Sequence, residues 1–181
     1  MKLKKQLNSY FWLALYYGFA RYFPPSNSNF FGPDRGGRKI CARHLFKKCG
    51  KDINIEHMAH FGKGNNIEIG EHSNIGIRCH VPNNIKIGNN VMMGPDSFFM
   101  GSDTHCFDRT DIPMILQGKR SDLGRTEISD DVWIGRQCIM KGGKRIGSHS
   151  IIGAGAVICK DVPEWCVAGG NPIRIIRKRK E

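Results

Sequence analysis

Seven histidines and seven cysteines are the side chains in this 181-residue chain best suited to move a proton, attack a carbonyl or hold a metal. An imidazole, with a free pKa of about 6.5, can take a proton from a hydroxyl near neutral pH and return it to a leaving group. His44, His57, His60, His72, His80 and His149 lie in a basic segment or at regularly repeating positions, where a surface histidine carries no chemical signal. His105 stands apart. It opens an irregular stretch between Gly94-Pro95-Asp96 and Asp108-Arg109-Thr110-Asp111. Cys106 offers a thiol beside it, but neighbours on an extended segment point to opposite sides, so the two would not face one substrate. The cysteines are odd in number and include no C-x-x-C pair. Several occupy places that want a small apolar side chain, which reads as core filling in a reducing compartment rather than a disulfide frame. A zinc site needs several ligands converging, and the spacing of His72, His80 and His105 does not put them at equivalent places.

What must position these residues is a period of six. Ile69-Gly70, Ile75-Gly76, Val81-Pro82, Ile87-Gly88, Met93-Gly94 and Phe99-Met100 form one register. Ile128-Ser129, Ile134-Gly135, Met140-Lys141, Ile146-Gly147, Ile152-Gly153 and Ile158-Cys159 form a second. Two places ahead of each aliphatic comes another recurring position, from Ile67 to Ser97 and then from Thr126 through Val132, Cys138, Lys144 and Ser150 to Ala156. Six is neither a helical nor a simple strand repeat. It predicts short flat strands joined by tight turns, three to a coil, stacked as a parallel β-helix. In this reading the aliphatics fill the prism, and the glycine after each lets the backbone turn a corner. Phe61 and Ile69 are eight apart, which marks a two-residue insertion within 63–66. Phe99 and Ile128 differ by 29, not a multiple of six, so the register is reset in a loop over 101–125 that leaves the prism. A loop of that length in a repeat protein points to function.

The chain divides into a helical, basic capping segment at 1–50, the coil at 51–164 and a basic tail at 165–181. Leu3, Leu7, Phe11, Ala14, Leu15, Gly18, Phe19 and Tyr22 share a helical face, and from Tyr10 onward the opposite face is apolar too, so this helix must be covered on most sides. Its apolar run from Tyr10 to Ala20 rises only about 16 Å, too short to cross a bilayer. Three readings stay open: a signal peptide, a membrane-surface anchor with Lys2, Lys4 and Lys5 toward anionic lipid, and a helix packed on the open end of the coil or on a neighbouring subunit. Pro24 to Asn29 is a breaker-rich link. Arg35, Arg38, Lys39, Arg43, Lys47 and Lys48 read as a solvated face. The net charge of +12 calls for an anionic neighbour, and no RRM, KH or helix-turn-helix signature favours nucleic acid.

The hexads, together with Met92-Met93-Gly94-Pro95-Asp96, Thr104-His105 and Phe107 through Met114, resemble the hexapeptide-repeat acyltransferases. The order is similar to the maltose and galactoside O-acetyltransferase group, including relatives that acetylate cell-surface polysaccharides, over roughly residues 50 to 177. The resemblance implies an all-β fold: a left-handed parallel β-helix with a short N-terminal α-helical segment and an extruded loop. It implies an acetyl-CoA-dependent O-acetyltransferase acting on a sugar hydroxyl in polysaccharide biosynthesis, with N-acetylation of an amino sugar as the alternative. A zinc hydratase and a non-catalytic scaffold are the competing readings on this fold. Carried over by position, His105 is the general base and Asp96, where relatives often carry Asn, meets the acceptor. Trp133 flanks the site, Arg136, Ala154 and Cys159 line the pantetheine arm, and Lys160, Arg174 and Arg177 face the CoA phosphates. Asp103 and Asp108 are candidates to orient the imidazole. Also implied are acetyl-CoA as co-substrate without a metal, a saccharide acceptor, and a homotrimer whose sites lie between subunits. The expected location is cytoplasmic, at the inner membrane face if the N-terminal helix touches lipid, with no nucleic-acid partner.

Overall fold

The computed structural model describes residues 2–28, 37–101, 104–120 and 124–179. From Lys48 onward short strands wind into a coil with three faces. The first face stacks Lys48–Cys49, Glu68–Ile69, Ile85–Ile87, Thr126–Ile128 and Arg145–Ile146 in parallel. The second runs from Asn54–Ile55 and Asn74–Ile75 to Met92–Met93, Trp133–Ile134, Ile151–Ile152 and Cys166–Gly169. The third stacks Phe98–Phe99, Ile139–Met140 and Val157–Ile158, extended backwards by bridges from Phe98 to His80 and from His80 to His60. The aliphatics of both registers are buried along the axis. Of the second recurring positions, only Lys144 is not buried.

The register follows the sequence arithmetic. Cys49 pairs with Ile69, twenty residues on, whereas Ile69 pairs with Ile87, eighteen on, which puts the two extra residues where Phe61 and Ile69 are too far apart. Ile87 pairs with Ile128, forty-one residues on in place of eighteen, so twenty-three residues leave the coil. Residues 104–120 of that excursion form a hairpin: Thr104–His105 pairs antiparallel with Lys119–Arg120, and Met114–Leu116 makes a 3-10 turn between them.

The reason for the hexad glycines differs from the sequence reading. Gly88, Gly135 and Gly147 do not have positive φ. A Cβ on Gly88 would lie 2.7 Å from Ser129 C, on Gly135 2.5 Å from Ala154 N, and on Gly147 2.4 Å from Glu164 N. These glycines are bare because the next coil's backbone passes over them. The corner itself turns two residues later, at left-handed Asn90, Gln137 and His149 with φ of 55°, 57° and 61°. Each such non-glycine residue costs roughly 1–2 kcal/mol, which the stacked core offsets.

Two helices close the N-terminal end. α1, Lys2–Gly18, turns Trp12, Leu13, Tyr16 and Tyr17 toward the coil. The Tyr16 hydroxyl donates to Ala59 O at 2.8 Å, and the Tyr17 hydroxyl donates to Gly62 O at 3.0 Å while accepting from Phe61 N. Burial pushes the Tyr16 phenol far above its ordinary pKa. α2, Arg38–Leu45, packs under α1, with His44 stacked on Trp12 at 3.9 Å. Arg38 is not part of a solvated face. It is 1% exposed, and its guanidinium donates to the carbonyls of Ile55, Phe23 and Pro24, tying helix, link and first coil together. At the other end Arg174–Lys178, within the basic tail, forms an antiparallel strand on Cys166–Gly169.

Candidate active site

The hairpin leaves the coil after Met100 and Gly101, at the corner between the third and first faces. The next coil presses on that exit: a Cβ on Gly142 would lie 2.3 Å from Gly101 O. Phe99, Met140 and Ile158 are stacked in register, so Cys159 and Lys160 follow two coils above the exit, about 10 Å along the axis at the usual strand spacing. Both are exposed.

His105 sits at the base of the hairpin, paired with Lys119, and its side chain is exposed. Cys106 is half-buried, and its N–H donates to Gly118 O at 3.0 Å. The difference in exposure accords with side chains alternating along an extended segment. Further out, Arg109 clasps Asp111. The Gln117 amide donates to the carbonyls of Arg109 and Ile112 and accepts from Arg109 N, closing the loop on itself. The tip exposes Phe107, Ile115 and Leu116 at 63%, 78% and 70%. Asp108 is exposed, and Asp103 lies outside the described residues.

Asp96 turns the corner between the second and third faces with φ of 62°. Its carboxylate accepts two hydrogen bonds from Arg78, at 2.7 and 3.0 Å, and a third from Arg136 at 3.4 Å. The Arg78 guanidinium, with Arg136 in support, holds this carboxyl below its ordinary range. Arg78 was missed in the sequence, although a signal existed. Positions 78 and 96 are three hexads apart, so both occupy the same corner of successive coils.

The remaining candidates fall into three groups. Trp133, 52% exposed, stands outward on the second face between Met92 and Ile151. Arg136 and Ala154 are exposed on the corner that carries Asp96. Arg174 and Arg177 are exposed on the last strand, where Arg177 donates to Lys178 O. One chain therefore gathers Asp96, Arg78, Arg136 and Ala154 at one edge of the third face, and Cys159, Lys160 and the hairpin exit at the other. Among the described residues no three His, Cys, Asp or Glu side chains gather as metal ligands do.

Residues 125–160 match the family model "Bacterial transferase hexapeptide (six repeats)". The chain is 30% identical over 145 residues to the galactoside O-acetyltransferase of Escherichia coli K12, covering 78% of this chain and 68% of that protein. Its fold is similar to that of a maltose O-acetyltransferase from Clostridium difficile 630, with a TM-score of 0.72, 29% identity, and 98% and 89% of the two chains covered. It is also similar to a hexapeptide-repeat acetyltransferase from Vibrio cholerae complexed with acetyl-CoA, with a TM-score of 0.56, 25% identity, and 80% and 77% covered.

Proposed function

The chain belongs to the hexapeptide-repeat acyltransferases, in the group of maltose and galactoside O-acetyltransferases, and is an acetyltransferase; from that premise we propose that it moves the acetyl group of acetyl-CoA to a saccharide hydroxyl in cell-surface polysaccharide biosynthesis. His105 is the general base of this reading. Its imidazole takes the proton of the acceptor hydroxyl as that oxygen attacks the thioester carbonyl. The carbon–sulfur bond then breaks, and the imidazolium gives the proton to the departing CoA thiolate. The observation that carries the reading is an exposed imidazole on a pinned two-residue strand, at the foot of a hairpin that leaves the coil.

The corner at Gly153-Ala154-Gly155 supports a CoA groove. Elsewhere the hexad glycine lies under backbone, but a Cβ on Gly153 would meet nothing closer than Ala168 O at 3.6 Å, an ordinary contact. Packing within the chain does not require a glycine here. The bare backbone suits the close approach of a pantetheine arm, with Arg136 beside it and Lys160, Arg174 and Arg177 available to the phosphates. Bound there, acetyl-CoA supplies the activated acyl group. Asp96 acts on the acceptor through an Arg78-braced carboxylate, which the Asn of relatives would not form.

The same reading makes the winding left-handed and the protein a homotrimer, with His105 of one subunit set against the Ala154 wall of the next. The faces differ in a way that supports trimerisation. The first presents Lys48, Glu68, Lys86, Glu127 and Arg145, alternating in charge, whereas the second and third present Met92, Trp133, Phe98 and Ile139 to solvent. The test is CoA thiol release from acetyl-CoA across free sugars, nucleotide sugars and surface glycans, with amino sugars included. His105→Ala should abolish transfer and keep CoA binding; undiminished transfer would sink the proposal.

A further inference from the structure

One end of the coil holds nearly all the excess charge. Residues 1–51 contain eleven Lys and Arg against one acid, Asp34, and so account for ten of the twelve net positive charges. This end is the helical cap. Beside it, a cavity of about 890 Å³ is lined by Arg43, Lys47, Lys48, Lys51 and His72 among others. Lys47 is engaged by Glu68.

The cap is apolar outward as well as inward. With Tyr16 against the coil, the opposite stripe of α1 leaves Leu7, Tyr10 and Phe11 exposed at 62%, 56% and 60%, and Phe19 and Tyr22 continue it at 61% and 57%. The Arg21 guanidinium lies 5.4 Å from the Tyr22 ring centre, carrying a cation to the edge of the stripe. The sequence predicted a helix covered on most sides; among the side chains described, from Gln6 onward, the chain itself covers only one side. No described helix is long and apolar enough to cross a membrane, and α1's seventeen residues amount to about 25 Å.

We infer that the N-terminal cap docks on an anionic lipid bilayer, with α1 lying in the headgroup plane. Leu7, Tyr10, Phe11, Phe19 and Tyr22 enter the acyl boundary while the cap's cations meet anionic headgroups. Aromatic rings with one polar edge suit that boundary. Charge opposes two caps stacked face to face, which would bring twenty excess positive charges together, whereas an anionic bilayer complements both the stripe and its surroundings. The inference does not depend on the acetyl transfer proposed above, since binding is read without turnover.

The full chain is to be sedimented with phosphatidylcholine vesicles, with and without phosphatidylglycerol, at rising salt. Binding is expected only with phosphatidylglycerol, weakening as salt rises. Phe11→Ser/Phe19→Ser should lower it by roughly tenfold or more with an unchanged circular dichroism spectrum. If that double variant fails to fold, Leu7→Ser tests the same stripe. Three results overturn the inference: no binding by the wild type, equal binding by folded stripe variants, or a stripe variant that reduces the protein's mass in solution without affecting vesicle binding.

Discussion

The chemistry proposed for this protein rests on one imidazole, and its surroundings define what its loss should do. His105 makes a backbone pair with Lys119 and is otherwise exposed, so His105→Ala removes a base without opening the core. Acetyl transfer should fall by about 10²- to 10⁴-fold, the usual worth of a positioned base, while CoA affinity in equilibrium binding stays within a factor of about two of wild type, within the scatter of distant surface changes. Equal losses in both would show that His105 organises the CoA groove rather than the proton transfer. Asp96 carries a different expectation. Arg78 depresses its carboxyl below the ordinary 3.8, so the folded state binds that proton less readily than the unfolded chain. The stabilisation is complete above about pH 4 and is lost as pH falls through the lower folded value. Asp96→Asn has no proton to gain there. Its urea midpoint should lie below that of wild type at neutral pH and approach it toward about pH 3; a constant gap across that range would remove the ion pair from the account.

At the scale of the strands, the hexad glycines separate two causes that a sequence cannot distinguish. A glycine after an aliphatic reads equally well as a turn residue or as a place where another chain segment passes close, because both need the Cβ to be absent. The stack decides for the second at Gly135 and for neither at Gly153. Gly135→Ala must push two backbones apart and should destabilise by about 1–3 kcal/mol or more, as overpacking does, which thermal unfolding would register. Gly153→Ala should leave the unfolding temperature nearly unchanged and weaken CoA binding; the reverse pattern would place the groove elsewhere. What was legible follows the same physics. Ile69, Ile87, Ile128 and Ile146 could be aligned by counting, since a period of six fixes which residues stack, and the insertion at 63–66 and the reset over 101–125 appeared as errors in the count. Arg38 and Arg174–Lys178 were not legible. A buried guanidinium that serves three carbonyls, or a strand that adds to the last coil, depends on contacts across the chain that leave no period. The hairpin was legible as an excursion but not as a hairpin, because its closure by Gln117 is local and irregular.

For the whole molecule, the distribution of surfaces bears on the proposed trimer. His105 is on an outward hairpin at one corner of the prism, whereas Ala154 and Arg136 lie on a different corner, across the third face. The exposed apolar side chains of the second and third faces invite other copies to cover them, and a closed ring of three would set each hairpin against a neighbour's corner. That arrangement can be tested by mixing two defects. His105→Ala lacks the base but keeps the groove, and Gly153→Trp keeps the base but fills the groove, so each variant alone should be inactive. In trimers assembled at random from equal amounts of both, a site works when an intact hairpin meets an intact corner on the next subunit, which is the case at about a quarter of the interfaces of a heterologous ring. Unfolding and reassembling the mixture should therefore restore about a quarter of wild-type turnover. If base and groove came from the same chain, every site in every hybrid would retain one defect and the mixture would stay inactive.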